Sequence, residues 1–258
     1  ANTGVGTTGT ARMQQPIQLN TNVLQSEAEF YTTIRAKRVP RDENNLLAAL
    51  DREGVEYIEV RLLDVDPFAP LGIDAETIDF MDMLLLYCIL EPSPHHDDAL
   101  CLAVDTNMDA AVRLGRGTLE LDNMGTPTRL QSWGQEVLAE LGPIAATLDA
   151  TTDSTRYSST LAIQQSKLLN PELTPSARML SAMGDSSFHE FALTIAHQHK
   201  QHFRAQPMDK GAYQELRELA ADSSRRQASM EAQPQVPFGE YIARLQQRYE
   251  NVLEYGSP

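Results

Sequence analysis

The stretch that most constrains the fold runs from Gly54 to Asp64 and reads GVEYIEVRLLD. It is rich in β-branched and aromatic residues and begins with a glycine, a pattern typical of a buried β-strand. Successive side chains of a strand point to opposite faces. The alternation separates an apolar set, Ile58, Val60 and Leu62, from a polar set, Tyr57, Glu59 and Arg61.

The polar face of this strand has two interpretations. Glu59 and Arg61 lie two residues apart on the same face, and burying an unpaired charge is costly. In the first interpretation they form an intrastrand ion pair on a solvated face, which contributes little to stability. In the second they belong to a site that binds a metal ion or a ligand. The strand by itself is compatible with both.

A second polar face lies upstream, in the stretch from Glu27 to Lys37. If this stretch is extended, its acids gather at one end of the face and its bases at the other. Carboxylate oxygens suit a hard cation, and Arg and Lys suit phosphate, so the face predicts a nucleotide–metal site. The residues on this face are Glu27, Glu29, Tyr31, Thr33, Arg35 and Lys37.

Two motifs carry a resemblance to a known family. The first, from Asn20 to Arg38, reads N-x-N-V-L-Q-x-E-x-E-x-Y-x-x-I-R-x-K-R. The second, from Glu56 to Gly72, reads E-Y-I-E-V-R-x-L-D-x-x-P-F-x-P-x-G. Their order and spacing resemble the proteobacterial glutamate–cysteine ligases, with weaker similarity at 114–116 and 170–178. The resemblance covers nearly the whole chain but only the C-terminal half of the family, so the N-terminal half, with most of the acidic metal ligands, is missing.

The resemblance implies an α+β fold with part of a saddle-shaped antiparallel sheet, as in the glutamine synthetase-like ligase superfamily. Residues 1–128 are then the C-terminal part of the catalytic sheet domain, with a flexible segment at 1–14. Residues 129–258 are expected to form a mainly helical portion that packs on it. Helical patterns cover 130–149, 155–169, 175–183, 187–205, 209–231 and 237–254.

The function implied by the resemblance is ATP-dependent joining of the L-glutamate γ-carboxylate to the L-cysteine amine, the first step of glutathione biosynthesis. The reaction passes through γ-glutamyl phosphate, which the amine then attacks. L-Glutamate, L-cysteine and ATP are the implied partners, and Mg²⁺, with Mn²⁺ as an alternative, is the implied metal. The chain alone is expected to be inactive. A related carboxylate–amine ligase with another acceptor, and a non-catalytic nucleotide- or partner-binding module, remain open as alternatives.

The resemblance also implies roles for single residues. Glu59 matches a magnesium ligand of the family, and Arg61 matches a catalytic arginine that contacts phosphate and glutamate. Tyr31 matches a tyrosine of the cysteine pocket. Charge alone assigns ATP or phosphate binding to one or more of the three bases that close the first motif. These bases are Arg35, Lys37 and Arg38.

The net charge of −15 argues against nucleic acid or an anionic membrane as a partner. ATP phosphates must therefore meet a local basic patch. Neither a signal peptide nor an apolar run long enough for a membrane helix is apparent, which predicts a cytoplasmic protein without a membrane partner. Cys88 and Cys101 lie in apolar surroundings and are predicted to be buried thiols in a reducing compartment.

Other local patterns predict individual elements. Residues 17–25 alternate like a strand, and 42–53 read as a helix that Asp42 caps and Gly54 ends. Asp74 is predicted to cap a helix that ends at Glu91, and 106–114 to form another that ends at Gly115. Residues 95–98 (His-His-Asp-Asp) favour a solvated helix start over a metal site. The helix that Asp74 caps is predicted to bury one apolar face. This face consists of Ile78, Met81, Leu84, Leu85 and Cys88.

Overall fold

The computed structural model describes residues 18–26, 29–39, 46–93 and 95–255. The fold is α+β and its paired strands are antiparallel, as predicted. A short 3₁₀ helix spans Pro171–Leu173. In chain order the elements are β1 (Ile34–Lys37), α1 (Leu46–Glu53), β2 (Tyr57–Val60), α2 (Ala75–Leu90), α3 (Asp98–Leu114), β3 (Glu120–Asn123), β4 (Thr126–Arg129), α4 (Leu130–Thr152), α5 (Arg156–Leu169), α6 (Pro175–Met183), α7 (Phe188–Ala205), α8 (Lys210–Glu231) and α9 (Phe238–Tyr255).

The chain divides into two compact units. The first combines 1–64 with 208–258, and the second comprises 65–207. The predicted boundary after residue 128 lies close to the end of the last strand, and helices follow it. As a domain boundary it stays a prediction. No helix in the described ranges is long and apolar enough to cross a membrane.

The first unit contains a two-stranded ribbon of β1 and β2, joined through α1. Helix α1 buries Ala48 and Ala49. It ends at Gly54, as predicted, where the amide of Gly54 bonds the carbonyl of Leu50 at 2.9 Å. The φ of Gly54 is +74°, a left-handed conformation that glycine adopts without strain. The predicted cap Asp42 lies outside the described residues.

The core of the second unit lies where α2, α4 and α5 pack together. Met83, Leu141, Ala145 and Tyr157 form its buried cluster. The face predicted for α2 is wrong, because Ile78 and Cys88 are exposed. Helix α2 is apolar around most of its circumference, so periodicity alone does not select the face that packs.

The two cysteines are not buried thiols. Cys88 and Cys101 are both free and exposed, which corrects the prediction. Cys88 lies on the side of α2 away from the buried Met83, and Cys101 lies on α3, a helix without buried residues. Local apolar composition therefore misled the sequence interpretation, because neighbours along a helix do not determine which side faces the core.

Capping residues fixed several helix ends as predicted. The Asp74 carboxylate accepts the amide of Thr77 at 2.7 Å, and α2 ends before Glu91. Helix α3 begins much earlier than residue 106, because Asp97 caps it by accepting the amide of Leu100 at 2.8 Å. The solvated helix start expected near the two histidines is thus confirmed. Helix α6 has the predicted bounds, and the other predicted helices after residue 129 differ from the observed ones by at most a few residues.

The stretch predicted as a buried strand forms β2, but its apolar face is not buried, because Ile58 and Leu62 are exposed. Two further differences concern where strands form. Residues 18–26 form bends instead of a strand, and Asn20 accounts for this by bonding Gln25 twice: its amide to Oε1 at 3.1 Å and its Nδ2 to the carbonyl at 2.9 Å. The hairpin of β3 and β4 was not predicted. Its strands hold acids, amides and Pro127, residue types that strands disfavour, and its turn requires positive φ at Met124 and Gly125.

Asp149 joins the last turn of α4 to the first turn of α5. Its carboxylate accepts the amides of Tyr157 at 2.9 Å and Ser158 at 3.0 Å, and also the Ser158 hydroxyl. Thr155, the residue at the cap position of α5, makes no side-chain cap bond. Burial by itself raises the pKa of Asp149, but the Ser158 hydroxyl and the two amides outweigh it, so that the pKa lies below its ordinary value.

We expect Asp149→Asn to lower the thermal stability near neutral pH. The carboxylate accepts three hydrogen bonds with both of its oxygens, whereas the asparagine side chain is uncharged and has a single acceptor oxygen. A lowered folded-state pKa adds stability above the unfolded pKa of about 3.9, and this contribution disappears as pH falls through the folded pKa. The difference in Tm between wild type and variant should therefore shrink in acid. Thermal unfolding at pH 7 and down through the acid range measures it. Asp185→Asn, at an exposed turn, is the control, and an equal loss in both variants would contradict the capping role.

Candidate functional site

The ribbon of β1 and β2 carries the polar face that the sequence predicted. Arg35 lies opposite Glu59 in the register, and Lys37 lies opposite Tyr57. The pairing continues beyond the strands, since the amide of Arg61 bonds the carbonyl of Thr33 at 2.8 Å. Period-two alternation then places Arg35, Lys37, Tyr57 and Glu59 on one face of the ribbon.

Glu59 is the centre of this face. Its Oε2 atom accepts Nη2 of Arg61 at 2.9 Å and lies 3.4 Å from Nζ of Lys37. The exposed fractions of the side chains are 38% for Glu59, 26% for Arg61 and 25% for Lys37. The three charges are thus partly covered instead of extending into solvent, and both bonds fall on one oxygen of the carboxylate.

The charges on this face reinforce each other. The hydrogen bond from Arg61 is the main cause that lowers the pKa of Glu59, and Lys37 lowers it further. The same bond raises the pKa of Arg61. Both groups therefore stay ionised across the pH range in which enzymes usually work, which suits a carboxylate that binds a cation and a guanidinium that binds an anion.

Tyr31 joins the cluster from the segment before β1. The guanidinium carbon of Arg61 lies 5.5 Å from the centre of the Tyr31 ring, within the range of a cation–π contact. The tyrosine side chain is otherwise largely exposed. The structure thus brings the residue predicted for the cysteine pocket next to the predicted catalytic arginine.

Arg38 differs from the other two bases of the first motif. Its three guanidinium nitrogens bond the end of α1, through the carbonyl of Gly54 at 2.6 Å and both the carbonyl and side chain of Glu53 at 2.7 and 3.1 Å. The side chain of Arg35, a residue of β1, instead donates from Nη1 to the carbonyl of Phe30 at 3.4 Å. The phosphate-binding role assigned to these bases stays a prediction, but Arg38 contacts α1 instead of the Glu59 cluster.

The sequence contained a signal for the position of Arg38 but not for the contact between Lys37 and Glu59. Arg38 is out of phase with Arg35 and Lys37, so alternation alone assigns it to the opposite face. The contact between Lys37 and Glu59 was missed, because it joins diagonal neighbours of two paired strands and requires the register to be known. The sequence alone predicts only a phosphate-binding role for Lys37.

The metal prediction rests on few donors in this chain. No group of three or more His, Cys, Asp or Glu side chains suited to a metal ion occurs within the described ranges. At the acidic end of the predicted face, Oε2 of Glu29 accepts the amide of Gln25 at 2.8 Å, whereas Glu27 lies outside the described residues. Glu59 offers the oxygen donors that Mg²⁺ prefers, but as one ligand it cannot surround the ion.

Sequence comparisons identify similar proteins. The family model for glutamate–cysteine ligase matches residues 5–111. A glutamate–cysteine ligase of Bordetella parapertussis is 40% identical over 249 residues, which are 95% of this chain and 47% of the relative. The glutamate–cysteine ligase of Azotobacter vinelandii is 40% identical over 241 residues, which are 92% of this chain and 46% of the relative.

A solved structure has a similar fold. It is the glutamate–cysteine ligase of Francisella tularensis in complex with AMP, with a TM-score of 0.82 and 28% identity. The match covers 92% of this chain and 47% of that one. The chain therefore spans about half the length of the relatives that it matches.

Proposed function

Because this chain belongs to the glutamate–cysteine ligase family, we propose that it supplies part of the site at which L-glutamate and L-cysteine are joined at the cost of ATP. The observation that carries the proposal is the cluster in which the Glu59 carboxylate bonds Arg61 and Lys37 on one partly covered strand face. The AMP bound to the Francisella relative supports an adenine nucleotide as the co-substrate.

Arg61 is the residue to which we assign the main catalytic role. Its planar guanidinium matches the paired oxygens of a phosphoryl group or a carboxylate. It would bind the glutamate γ-carboxylate and the phosphoryl group as γ-glutamyl phosphate forms. Glu59 accepts Nη2 of this guanidinium at 2.9 Å, and this bond would orient Arg61 before the substrate arrives. Such preorganised charge is worth most where negative charge develops in the transition state.

The bases beside Arg61 fit a supporting role. Lys37, held by Glu59, and Arg35, opposite Glu59 in the register, add positive charge to the same face. We infer that they bind ATP phosphates, which a chain with a net charge of −15 must meet at a local basic patch. Arg38 instead stabilises the end of α1 in this structure, so a contribution from it would require another arrangement of its side chain.

Glu59 fits a magnesium ligand in its chemistry. Arg61 and Lys37 both contact Oε2, and Oε1 is the second oxygen of the same ionised carboxylate. Mg²⁺ or Mn²⁺, when bound, would neutralise charge on the ATP phosphates. The remaining ligands would come from the part of the polypeptide that this chain does not span. A cytoplasmic location, in keeping with soluble substrates, stays a prediction.

The reaction is tested in a polypeptide of the relatives' length that includes this chain, called the full-length polypeptide below. ADP release is measured in the presence of glutamate and magnesium-ATP under three conditions. The acceptor is cysteine, is omitted, or is another amine at the same concentration as cysteine. We expect fast release with cysteine only. Faster release with another amine would indicate a related ligase with a different acceptor. ATP binding without turnover would indicate a non-catalytic module, and either result would overturn the proposal.

Tyr31→Phe should raise the KM for cysteine in the full-length polypeptide and leave the KM for ATP nearly unchanged. The variant loses the hydroxyl but keeps the ring that lies beside Arg61. A hydrogen bond to a charged group contributes roughly 1.5–3 kcal/mol, which corresponds to a change of about tenfold or more. Steady-state kinetics with each substrate varied in turn measures it. Equal changes for cysteine and ATP would show that Tyr31 acts through packing instead.

A further inference from the structure

Helix α3 has three distinct sides. One side is half-buried and faces the β3–β4 hairpin, where Asn107 exchanges two hydrogen bonds of 2.8 Å with the backbone of Asp122. A second side is acidic, with Asp98, Asp105 and Asp109 at spacings that share a face of a helix. The first side is half-buried because it packs against the hairpin. The second side is charged, as expected for a surface in contact with solvent.

The third side is an exposed apolar stripe. It consists of Cys101, Val104, Met108 and Val112, which follow one another at intervals of three and four residues along a single face. The exposed fractions are 44% for Val104, 37% for Met108 and 77% for Val112, and Cys101 is exposed as well. Nothing in α3 is buried. A continuous apolar stripe of this kind marks a surface that another part of a protein covers.

The half of the relatives' length that this chain does not span is a candidate to cover the stripe. Relatives that match 95% of this chain contain about as much polypeptide again, and the match with the Francisella structure covers 92% of this chain and therefore most of its elements. A second copy of the same chain is a poor occupant. If two copies packed through their stripes, their acidic sides would come together, and each molecule carries a net charge of −15. The like charges would repel each other.

We propose that the stripe on α3 is an intramolecular contact surface, covered in the full-length polypeptide by the part that this chain does not span. The covering surface is apolar and flanked by Lys or Arg, which complement the adjacent Asp98 and Asp105; Asp109 already bonds Arg113 of α3 at 2.7 Å. The assignment concerns assembly of the complete protein and does not depend on ligase turnover, so an inactive polypeptide would leave it intact.

Cys101 provides a probe within the stripe itself. In a Cys88→Ser background, the rate at which a maleimide labels Cys101 is measured by mass spectrometry in the 258-residue chain and in the full-length polypeptide. We expect labelling at least tenfold slower in the full-length form. The control is Thr106→Cys with both native cysteines replaced by serine. Its side chain is exposed on the opposite side of α3, so it should react at similar rates in both forms.

A charge substitution gives an independent reading. Val112→Lys should leave the Tm of the 258-residue chain unchanged, because the side chain is exposed there, and lower that of the full-length polypeptide. Thr106→Lys should change neither. Equal labelling of Cys101 in both forms would overturn the proposal. So would protection in the 258-residue chain that increases with its concentration, since this would identify a second copy as the occupant.

Discussion

Replacing Arg61 by lysine is expected to lower kcat of the full-length polypeptide by about a hundredfold, the scale of losing one preorganised donor to a developing negative charge. Lysine keeps the positive charge but not the planar fork that can bind two oxygens at once. Lysine has a single side-chain nitrogen, so it cannot bond Glu59 through one nitrogen, as Nη2 does at 2.9 Å, and present two others to a substrate. Extra magnesium should not restore the rate, because the metal does not replace this group.

The control for this variant is an arginine that pairs with an acid at the surface. Arg113 bonds Asp109 at 2.7 Å on α3, and both side chains are mostly exposed. Pairs of this kind contribute about 0–1 kcal/mol to stability, so Arg113→Lys should leave kcat unchanged. Near-normal turnover in both variants would mean that Glu59 and Arg61 also form a surface ion pair, the simpler of the two interpretations of the strand.

The 258-residue chain alone is expected to release no ADP above background when it is supplied with glutamate, cysteine, ATP and magnesium. Among the described residues, Glu59 is the carboxylate that contacts Lys37 and Arg61, whereas the cations that accompany ATP need several oxygen ligands. In the part of the chain that the structure describes, the ribbon that presents these groups has two strands, and isolated two-stranded ribbons are marginally stable. The site should therefore lack both ligands and support.

This loss is measured by comparing the chain with the full-length polypeptide at equal concentration and saturating substrates. Far-UV circular dichroism of the isolated chain serves as the control, since the helices of the second unit should persist. Robust turnover by the chain would show that the other half of the relatives' length is dispensable, and would contradict the account of an incomplete site.

The predictions that succeeded rest on local chemistry. Alternation in the stretch around Glu59 was sufficient to place it on one face with Arg61, because a strand's period does not depend on what packs against it. Caps such as Asp74 and the stop at Gly54 fixed helix ends, since these residues bond backbone groups only a few positions away. Helices α6, α7 and α8 begin at caps of this kind, which are Thr174, Ser187 and Asp209.

The predictions that failed depend on tertiary contacts. The buried side of α2 is selected by α4 and α5, with Met83 at the contact, and an almost wholly apolar helix offers no pattern to predict it. The partnership of Glu59 with Lys37 depends on strand register, and the capping of α5 by Asp149 joins residues eight positions apart across a turn. The hairpin of β3 and β4 forms from residues with low strand propensity.

The most direct test of Glu59 as a metal ligand is a magnesium titration of Glu59→Gln in the full-length polypeptide, with wild type and Arg61→Lys in parallel. Glutamine keeps the shape of the side chain but loses the charge that attracts a cation. We predict that the variant needs more magnesium for half-maximal rate and that high magnesium partly restores kcat, while Arg61→Lys shows no such recovery. A magnesium dependence identical to that of wild type would contradict the account and leave Glu59 as a partner of Arg61 and Lys37 only.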